Sequence, residues 1–400
     1  MLGALLDKLG SLFSKAFVLG SIPLLAFLFL HGLMVYRVSY RFQKFVTSYL
    51  FGADTARTAV IAFAMLLVVA MLTYVQSMLS VTLREVLEGK HFGIFTNALS
   101  QLYRDRLQKL ERSLTEAKRN RRTIRQSQQT WRETMGTAYR EGQKQKGCAY
   151  TRASALQTLF DRRDGNQDIT FNELSSSVED MTKQLAKNNP ELDTQASGQL
   201  DEDHGQLLHL IDYAATKWEA RYVAYLAQYD FDYGGKDVAP TRMGNISNAA
   251  GYYAASRYSM NLEVFWTRLQ KVLQADTNFY TVLQEAKMQV DFLVALVWLS
   301  LTFTLLWVVL LPVLGEGRDL FLIIAVFGPI LTYICYRIAL QNYRVFSDLL
   351  RASVDLYRLD LLKALHIELP ANAEQERTLW EMLERRLSYS DSTNVKLRTT

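Results

Sequence analysis

Apolar residues are concentrated in four long runs along the chain, and a polar stretch separates the second run from the third. The runs cover residues 17–36, 59–81, 292–314 and 320–336, and none of them contains Asp, Glu, Lys or Arg. A helix rises about 1.5 Å per residue, so about 20 apolar residues cross the roughly 30 Å hydrocarbon core of a bilayer. The pattern predicts an all-α membrane protein in which two transmembrane helical hairpins bracket a helical soluble domain.

The order of apolar and polar segments predicts five regions. They are an amphipathic N-terminus (1–16), a transmembrane hairpin with an interfacial connector (17–81), a helical soluble domain (82–289), a second transmembrane hairpin (290–340) and a helical C-terminal tail (341–400). In the first connector, Arg37, Arg41 and Lys44 fall on one helical stripe and aromatic residues on another, which is typical of a helix in the membrane interface. An even number of spans places both termini and the soluble domain on one side.

Charge is distributed unevenly along the chain. There are 45 Lys and Arg residues against 40 Asp and Glu, a net charge of +5. Residues 104–146 alone hold 13 basic and 5 acidic residues, so this segment carries +8 and the remainder −3. The positive-inside rule therefore favours a cytoplasmic soluble domain, although the basic residues of the first connector oppose that orientation.

Four arginines of this basic segment are candidate contacts for an anionic partner or lipid: Arg119, Arg121, Arg122 and Arg125. A solvated helix face, a site for anionic lipid headgroups and a nucleic-acid site all fit such a cluster. Nucleic acid is disfavoured because no nucleic-acid-binding fold or aromatic interleaving accompanies the charge. The same segment has apolar residues at heptad spacing, which predicts a helical hairpin or short coiled coil. They are Tyr103, Leu107, Leu110, Leu114, Ala117 and Ile124.

Residues 162–173 have oxygen-bearing side chains spaced as in the calcium loop of an EF-hand. The candidate metal ligands are Asp164, Asn166, Asp168 and Glu173. Calcium requires such ligands and a sharp turn at the sixth position, which is normally glycine. Here the first position is Arg162 and the sixth is Gln167, so any calcium binding would be weak. The alternative is a polar connector between two helices, in which Asp168 or Thr170 caps the second helix.

The common enzyme motifs are absent from the sequence. The chain has no Walker A, GxGxxG, GxSxG or HExxH pattern, and each of these marks a specific catalytic or nucleotide-binding arrangement. Its two cysteines, Cys148 and Cys335, exclude a disulfide-rich scaffold and a four-cysteine zinc site. These features favour a non-enzymatic protein, and calcium is the one cofactor that the sequence raises.

Polar positions inside the apolar runs are candidates for helix packing or for a pore. Ser300 and Thr304 lie one helical turn apart in the third run, and hydroxyl groups in spans can join helices or line a water path. Packing is favoured because no charged residue accompanies them. Pro329 in the fourth run predicts a kink, which together with Gly328 would form a static bend or a hinge.

A segment near the end of the predicted soluble domain carries a distinctive motif. Residues 240–269 begin with Pro-Thr-Arg-Met-Gly-Asn, continue through Arg-Tyr and end in Trp-Thr-Arg-Leu. The motif residues are Pro240, Thr241, Arg242, Gly244, Asn245, Arg257, Tyr258, Trp266, Arg268 and Leu269. The segment resembles a family of uncharacterised bacterial four-span integral membrane proteins with a Pro-Thr-Arg-Leu-Gly-Asn pattern, from which Met243 departs. Residues 87–89 and 353–380 resemble the same family.

This resemblance implies four spans, a helical cytoplasmic domain and a bacterial inner-membrane location, and it implies no activity. Two helices are predicted at residues 243–257 and 262–275, and Thr241 and Asn261 are suited to cap them. Gly244 permits a close backbone approach. The arginines of the segment are candidates for ion pairs with Asp230, Asp232 or Asp237. A ligand or phosphate site built on the same arginines is the alternative.

Three hypotheses of function follow from the sequence. The first is a non-enzymatic homo-oligomer of the bacterial inner membrane, whose cytoplasmic helical domain senses or scaffolds a partner. The second is an ion channel or membrane-permeabilising effector, with Ser300 and Thr304 on the pore. The third is a membrane-tethered enzyme or nucleic-acid binder that uses the basic segment. Under the first hypothesis the expected partners are the lipid bilayer, further copies of the chain and a cytoplasmic protein.

Overall fold

A computed structural model describes residues 15–48, 55–91, 93, 95–144, 154–186, 194–234, 237–314 and 318–389. These residues form twelve α-helices. The helices are α1 (Lys15–Val38), α2 (Tyr40–Val46), α3 (Thr55–Glu88), α4 (Phe95–Lys144), α5 (Ser154–Asp164), α6 (Phe171–Ala186), α7 (Thr194–Asp232), α8 (Arg242–Tyr258), α9 (Leu262–Leu273), α10 (Thr277–Leu314), α11 (Arg318–Ala364) and α12 (Ala373–Tyr389). Cys148 and most of the predicted amphipathic N-terminus (1–16) lie outside the described residues.

Four of these helices are long and apolar enough to cross a membrane, and this confirms the predicted fold class. They are α1 and α3 near the N-terminus and α10 and α11 near the C-terminus, with helical structure between the pairs. Many large apolar side chains on these helices are exposed, for example Phe29 at 70% and Met71 at 70%. Such surfaces suit contact with lipid, so the chain has the features of a multi-pass helical membrane protein.

Two of the spanning helices extend far beyond their apolar runs. The helix α10 begins at Thr277, and α11 continues to Ala364. Both extensions carry polar residues on one face and buried apolar residues on the other. Packing of the apolar face stabilises each helix beyond its apolar run. The indole Nε1 of Trp298 donates a hydrogen bond to the Leu83 carbonyl oxygen at 3.0 Å, which joins the two predicted hairpins.

The connector of the first hairpin contains the short helix α2, as its amphipathic pattern predicted. Ser39 caps this helix, since its hydroxyl accepts a hydrogen bond from the Phe42 backbone N–H at 3.3 Å. No residue of α2 is buried, and Tyr40 is 78% exposed. Exposed aromatic residues on an amphipathic helix are typical of the membrane interface.

The chain divides into two compact units. Unit 1 comprises Met1–Tyr103 and Phe231–Thr400, and unit 2 comprises Arg104–Asp230. Both unit boundaries lie within helices, one in α4 and one in α7, and both fall inside the predicted soluble domain 82–289. Unit 2 is therefore an insertion into unit 1, which the chain reaches through α4 and leaves through α7.

Unit 2 has its own hydrophobic core, formed by residues of α4, α5, α6 and α7. Ala117 and Ile124 of α4 are fully buried in it, as the heptad spacing predicted. The turn-forming and acidic residues at 188–205 predict a loop. Instead, α7 begins at Thr194, and Asp203 within it is fully buried, because packing against the core outweighs a weak local preference.

Unit 1 has a second core outside the apolar runs, where α8, α9 and α12 pack against α10 and α11. Phe265 of α9 and Trp380 of α12 lie at its centre, fully buried and edge to face with ring centroids 5.0 Å apart. Asn261 caps α9, as expected, by accepting a hydrogen bond from the Glu263 backbone N–H. A smaller apolar cluster around Trp307 and Leu311 lies within the spans.

Candidate functional site

A cavity of about 410 Å³ lies in unit 1, where α3, α8, α9, α10 and α11 meet. Its charged lining comes mainly from the ends of spanning helices, with Arg84 and Glu88 on α3 and Lys287 on α10. Its apolar lining includes Trp266 on α9 and Phe346 on α11. Ligand pockets commonly have volumes of about 300–1,000 Å³ and combine an apolar wall with a few polar groups. This cavity has both properties.

The carboxylate of Glu88 is the buried polar centre of this cavity. Its residue is only 4% exposed, and it accepts a hydrogen bond from the Tyr343 hydroxyl at 2.7 Å. Arg84 lies 3.8 Å away through Nε, and Lys90 lies 3.2 Å away through Nζ. Although partial burial alone would lower it, the neighbouring Glu88 and Glu85 carboxylates raise the pKa of Lys90. Lys90 therefore remains charged at neutral pH and compensates the buried acid.

One other polar group of the lining lacks such compensation. The Ser347 hydroxyl is 1% exposed and has no hydrogen-bond partner among the described residues. Lys287 and Glu263 also line the cavity, but both are exposed to solvent, and Lys287 interacts electrostatically with Asp291. A buried hydroxyl without a partner is costly unless a ligand or solvent satisfies it. The cavity thus offers one unsatisfied buried hydroxyl to a bound molecule.

The motif at residues 240–245 forms one edge of the same region and packs directly on the end of α3. Thr241 caps α8, since its hydroxyl accepts a hydrogen bond from the Gly244 backbone N–H at 3.0 Å. Asn245 is buried and fixes the preceding loop by accepting from the Ala239 N–H and donating to the Thr241 carbonyl. The two segments 87–89 and 240–245, which the sequence singled out through the same family resemblance, are therefore in contact.

Glycines make this contact close. A Cβ atom on Gly244 would lie 2.1 Å from the Glu88 carbonyl oxygen. Gly89 has a φ of +86°, and a Cβ atom there would lie 2.4 Å from Cγ of Pro240. Glycine fits both positions because it has no Cβ atom and adopts a positive φ without strain. The two backbones therefore approach to a distance that excludes any side chain.

Arg242 of the motif forms a buried ion-pair cluster at the end of α7. Its Nη2 donates to Oδ2 of Asp232 at 3.0 Å, and Nε of Arg344 donates to Oδ1 of the same carboxylate at 2.9 Å. The Asp232 side chain is 5% exposed. From the sequence, the candidate partners for the arginines of the motif are Asp230, Asp232 and Asp237. In the structure, Arg242 pairs with Asp232.

The other two arginines of the motif have different surroundings. Arg257 donates a hydrogen bond to the Tyr253 hydroxyl at 2.8 Å, and Arg268 donates to the Val264 carbonyl of its own helix at 3.0 Å. Neither forms an ion pair with Asp232 or Asp237 among the described residues. Trp266, another motif residue in α9, contributes to the cavity wall.

The end of α8 meets the segment 353–380 through a tyrosine and aspartate cluster. Asp355 accepts hydrogen bonds from the Tyr253 hydroxyl at 2.8 Å and from the Tyr258 hydroxyl at 2.7 Å. Burial and the hydrogen bond to Asp355 raise the pKa of Tyr258 to about 12. The guanidinium carbon of Arg358 lies 4.1 Å from the centroid of the Tyr258 ring. Both tyrosines therefore act as neutral donors across the physiological pH range.

In unit 2, the residues predicted as calcium ligands are engaged with protein groups. Glu173 accepts hydrogen bonds from the backbone N–H and hydroxyl of Thr170, both at 2.8 Å, and from Arg162 at 2.5 Å. Although desolvation alone would raise it, these hydrogen bonds lower the pKa of Glu173. The ionised Glu173 carboxylate therefore stabilises the folded state fully above the unfolded pKa, which is about 4.3. This contribution is lost as the pH falls through the lower pKa of the folded state.

The other three candidate ligands do not converge with Glu173 on a metal position. Asp168 pairs with Arg221, Asn166 accepts from the Tyr213 hydroxyl at 3.1 Å, and Asp164 is bonded to its neighbour Arg163. No group of three or more His, Cys, Asp or Glu side chains in the described ranges is arranged for a metal ion. The geometry is that of the polar helix connector, with Thr170 as the cap of α6.

The four arginines of the basic cluster divide into two pairs. Arg121 and Arg125 both bind Glu219 of α7, at 2.5 and 3.0 Å, and the Arg121 guanidinium also lies over a tyrosine ring of that helix. Arg119 and Arg122 are exposed. The sequence could not distinguish these pairs, because the distinction depends on an acid almost a hundred residues away in the chain.

Within the spans, Thr304 packs against the backbone of α11. A Cβ atom on Gly328 would lie 2.4 Å from the Thr304 hydroxyl oxygen, and Thr304 is 5% exposed. Its hydroxyl donates to the Ser300 carbonyl at 2.7 Å, and the Ser300 hydroxyl donates to the Val297 carbonyl. Pro329 lies inside α11, which continues through it as one helix. This arrangement favours helix packing as the role of these hydroxyls.

Replacing Gly328 with alanine is expected to loosen the α10–α11 contact, because the new methyl group would overlap Thr304. Overpacking of this kind costs about 1–3 kcal/mol. Adding Thr304→Ala removes the overlapping atoms and should recover most of the loss. Tryptophan fluorescence measures the thermal unfolding in detergent of the wild type, the Gly328→Ala variant and the double variant. Wild-type stability of Gly328→Ala alone would contradict this packing.

The sequence did not predict that these polar residues would line one cavity. Ser347, Lys287 and Glu263 belong to three different helices, and each resembles an ordinary surface position in the sequence. The one available signal was the clustering of charge at residues 84–90, directly after the second apolar run. Comparison of this chain with protein-family models, with curated proteins and with solved structures gives no match.

Proposed function

We propose that this chain is a non-enzymatic, homo-oligomeric protein of the bacterial inner membrane whose helical unit 2 lies in the cytoplasm and senses or scaffolds a partner. The family resemblance and the basic segment 104–146 support the bacterial and cytoplasmic parts of this proposal. Of its four candidate arginines, Arg119 and Arg122 are exposed and free of the Glu219 contact, so they are open to an acidic partner.

One observation carries the proposal. Two adjacent residues of α11 fasten two separate segments of unit 1: Tyr343 binds Glu88 at the end of α3, and Arg344 binds Asp232 at the end of α7. The same helix continues without interruption into the fourth candidate span. A displacement of that span would therefore act on the ends of α3 and α7 together. Because α7 is the helix through which the chain returns from unit 2, this link supports a membrane-coupled sensor or a rigid scaffold.

Cysteine labelling tests the membrane placement. Cys148 lies in the basic part of the chain, and Cys335 lies in the fourth apolar run. A membrane-impermeant maleimide applied to intact spheroplasts is expected to leave Cys148 unlabelled until the membrane is permeabilised. The Cys148→Ser variant is the control that identifies the labelled residue. Labelling of Cys148 in intact spheroplasts contradicts the cytoplasmic placement, and a strictly monomeric mass in native mass spectrometry contradicts the homo-oligomer.

A further inference from the structure

Two polar ring nitrogens lie buried between α1 and α10 without a hydrogen-bond partner among the described residues. They are Nε2 of His31 on α1 and Nε1 of Trp307 on α10. The two ring centroids are 5.9 Å apart, and Trp307 is only 2% exposed. Because each nitrogen lacks a partner, the two do not bond to each other. The pair therefore forms a buried polar point where the two predicted hairpins meet.

Both residues lie well inside their apolar runs. His31 lies five residues before the end of the first run at residue 36, and Trp307 lies seven residues before the end of the third run at residue 314. At about 1.5 Å per residue, these positions are roughly 8 and 10 Å inside the hydrocarbon core. Bulk water does not hydrate polar groups at that depth, so each unsatisfied nitrogen costs free energy.

The two nitrogens have complementary hydrogen-bonding roles. Nδ1 of His31 lies 3.2 Å from the Phe27 carbonyl oxygen, which can only accept, so Nδ1 carries the hydrogen. Nε2 of the neutral ring then presents a lone pair, whereas the indole Nε1 of Trp307 is a donor only. The pair thus offers one acceptor and one donor. One hydroxyl group satisfies both, since it accepts from the indole and donates to the imidazole.

The surroundings of the pair favour a small, uncharged ligand. The rings of Phe27 and Phe303 lie 4.2 and 5.0 Å from the imidazole, measured between centroids. Met34 and Leu311 belong to the same buried apolar cluster as Trp307. None of the four apolar runs contains Asp, Glu, Lys or Arg, so a charged ligand would have no counter-ion there.

We propose that His31 and Trp307 together bind one hydroxyl group, supplied by a water molecule or by the alcohol of a neutral lipid such as diacylglycerol. Buried waters in proteins occupy sites of this kind, where at least two polar groups await partners. The bound hydroxyl joins α1 to α10, and hence the first hairpin to the second. The inference concerns the spans alone and is independent of the partner, the orientation and the number of copies in the proposed function.

Solid-state NMR of the full-length protein tests for the hydroxyl directly. Protein labelled with nitrogen-15 at histidine and tryptophan is reconstituted into phosphatidylcholine, which has no hydroxyl group, with and without added diacylglycerol. The indole N–H of Trp307, identified by its loss in Trp307→Phe, is expected to show a cross-peak to water in phosphatidylcholine alone. A cross-peak that appears only with diacylglycerol assigns the bound hydroxyl to the lipid instead.

Trp298 provides the internal control for this measurement. It lies in the same span, but its Nε1 already donates to the Leu83 carbonyl oxygen at 3.0 Å. Its N–H should therefore show no cross-peak to water or to the lipid hydroxyl in either preparation.

Replacing His31 with phenylalanine provides a second line of evidence, because it removes the acceptor and keeps an aromatic ring. His31→Phe should abolish the cross-peak at Trp307 and lower the midpoint of thermal unfolding by a few degrees. If Nε2 held no ligand, removing an unsatisfied nitrogen would leave the midpoint unchanged or raise it.

Two results would overturn the inference. The first is a Trp307 N–H without a cross-peak to any hydroxyl in either preparation. The second is a scalar coupling across a direct hydrogen bond from Nε1 of Trp307 to Nε2 of His31, which would leave no donor for a ligand. Labelling of Cys148 in intact spheroplasts would reject the proposed orientation and leave this inference standing, so the two failures are distinguishable.

Discussion

Replacing Gly244 with alanine is expected to destabilise unit 1 by about 3 kcal/mol, at the upper end of the usual cost of overpacking. The added Cβ would lie 2.1 Å from the Glu88 carbonyl oxygen and 2.7 Å from Cβ of Ala239. Relief requires a shift of backbone, because the nearest atom belongs to the end of α3. That shift would also disturb the pairing of Glu88 with Tyr343, on which the cavity depends.

Gly251 provides the matched control, because it lies in the same helix with nothing within 4 Å of an added Cβ. Gly251→Ala should stabilise the protein by up to about 1 kcal/mol, since alanine favours helix over glycine by that amount. Chemical unfolding in detergent, followed by tryptophan fluorescence, measures both variants. Effects of the same sign at the two positions would contradict the close contact between α3 and α8.

Local features of unit 1 could be predicted from the sequence because they depend on near neighbours. The caps Thr241 and Asn261 are examples, since each side chain binds a backbone N–H two or three residues away. The predicted helices after them, 243–257 and 262–275, agree with α8 and α9 to within two residues at each end. The four apolar runs were equally clear, because length and hydropathy suffice to identify a candidate span.

The site could not be predicted, because its residues come together only through tertiary packing. Glu88 and Tyr343 are 255 positions apart, and Asp232 and Arg344 are 112 apart. The sequence identified both of the glycine-containing segments that touch, but nothing in it indicated that they touch each other. The extension of α10 and α11 past the membrane was also missed, since the apolar run ends long before the helix does.

The buried Asp232 carboxylate links the end of α7 to α11. Removing its charge should therefore lower the free energy of unfolding substantially. Asp232→Asn preserves the size of the side chain and removes the charge that Arg242 and Arg344 share. Breaking a buried ion pair costs about 3–5 kcal/mol, and partial exposure of the two arginines places the expected loss near 3 kcal/mol. Asp360→Asn is the control: its side chain is 48% exposed, and it pairs only with Lys363 among the described residues. Such a surface pair contributes at most about 1 kcal/mol.

Hydrogen exchange locates the effect of Asp232→Asn. If Asp232 fastens the end of α7 to α11, amides in the last turn of α7 and around Arg344 should exchange faster in the variant. The double variant Asp232→Asn with Arg344→Gln should recover part of the lost stability, because it no longer leaves both arginines facing a neutral amide. A loss confined to α7, with protection unchanged around Arg344, would contradict the role of α11 as the element that fastens the ends of α3 and α7. The helix α11 would then be a candidate span that does not hold the end of α7, and the proposed coupling to the membrane would need another route.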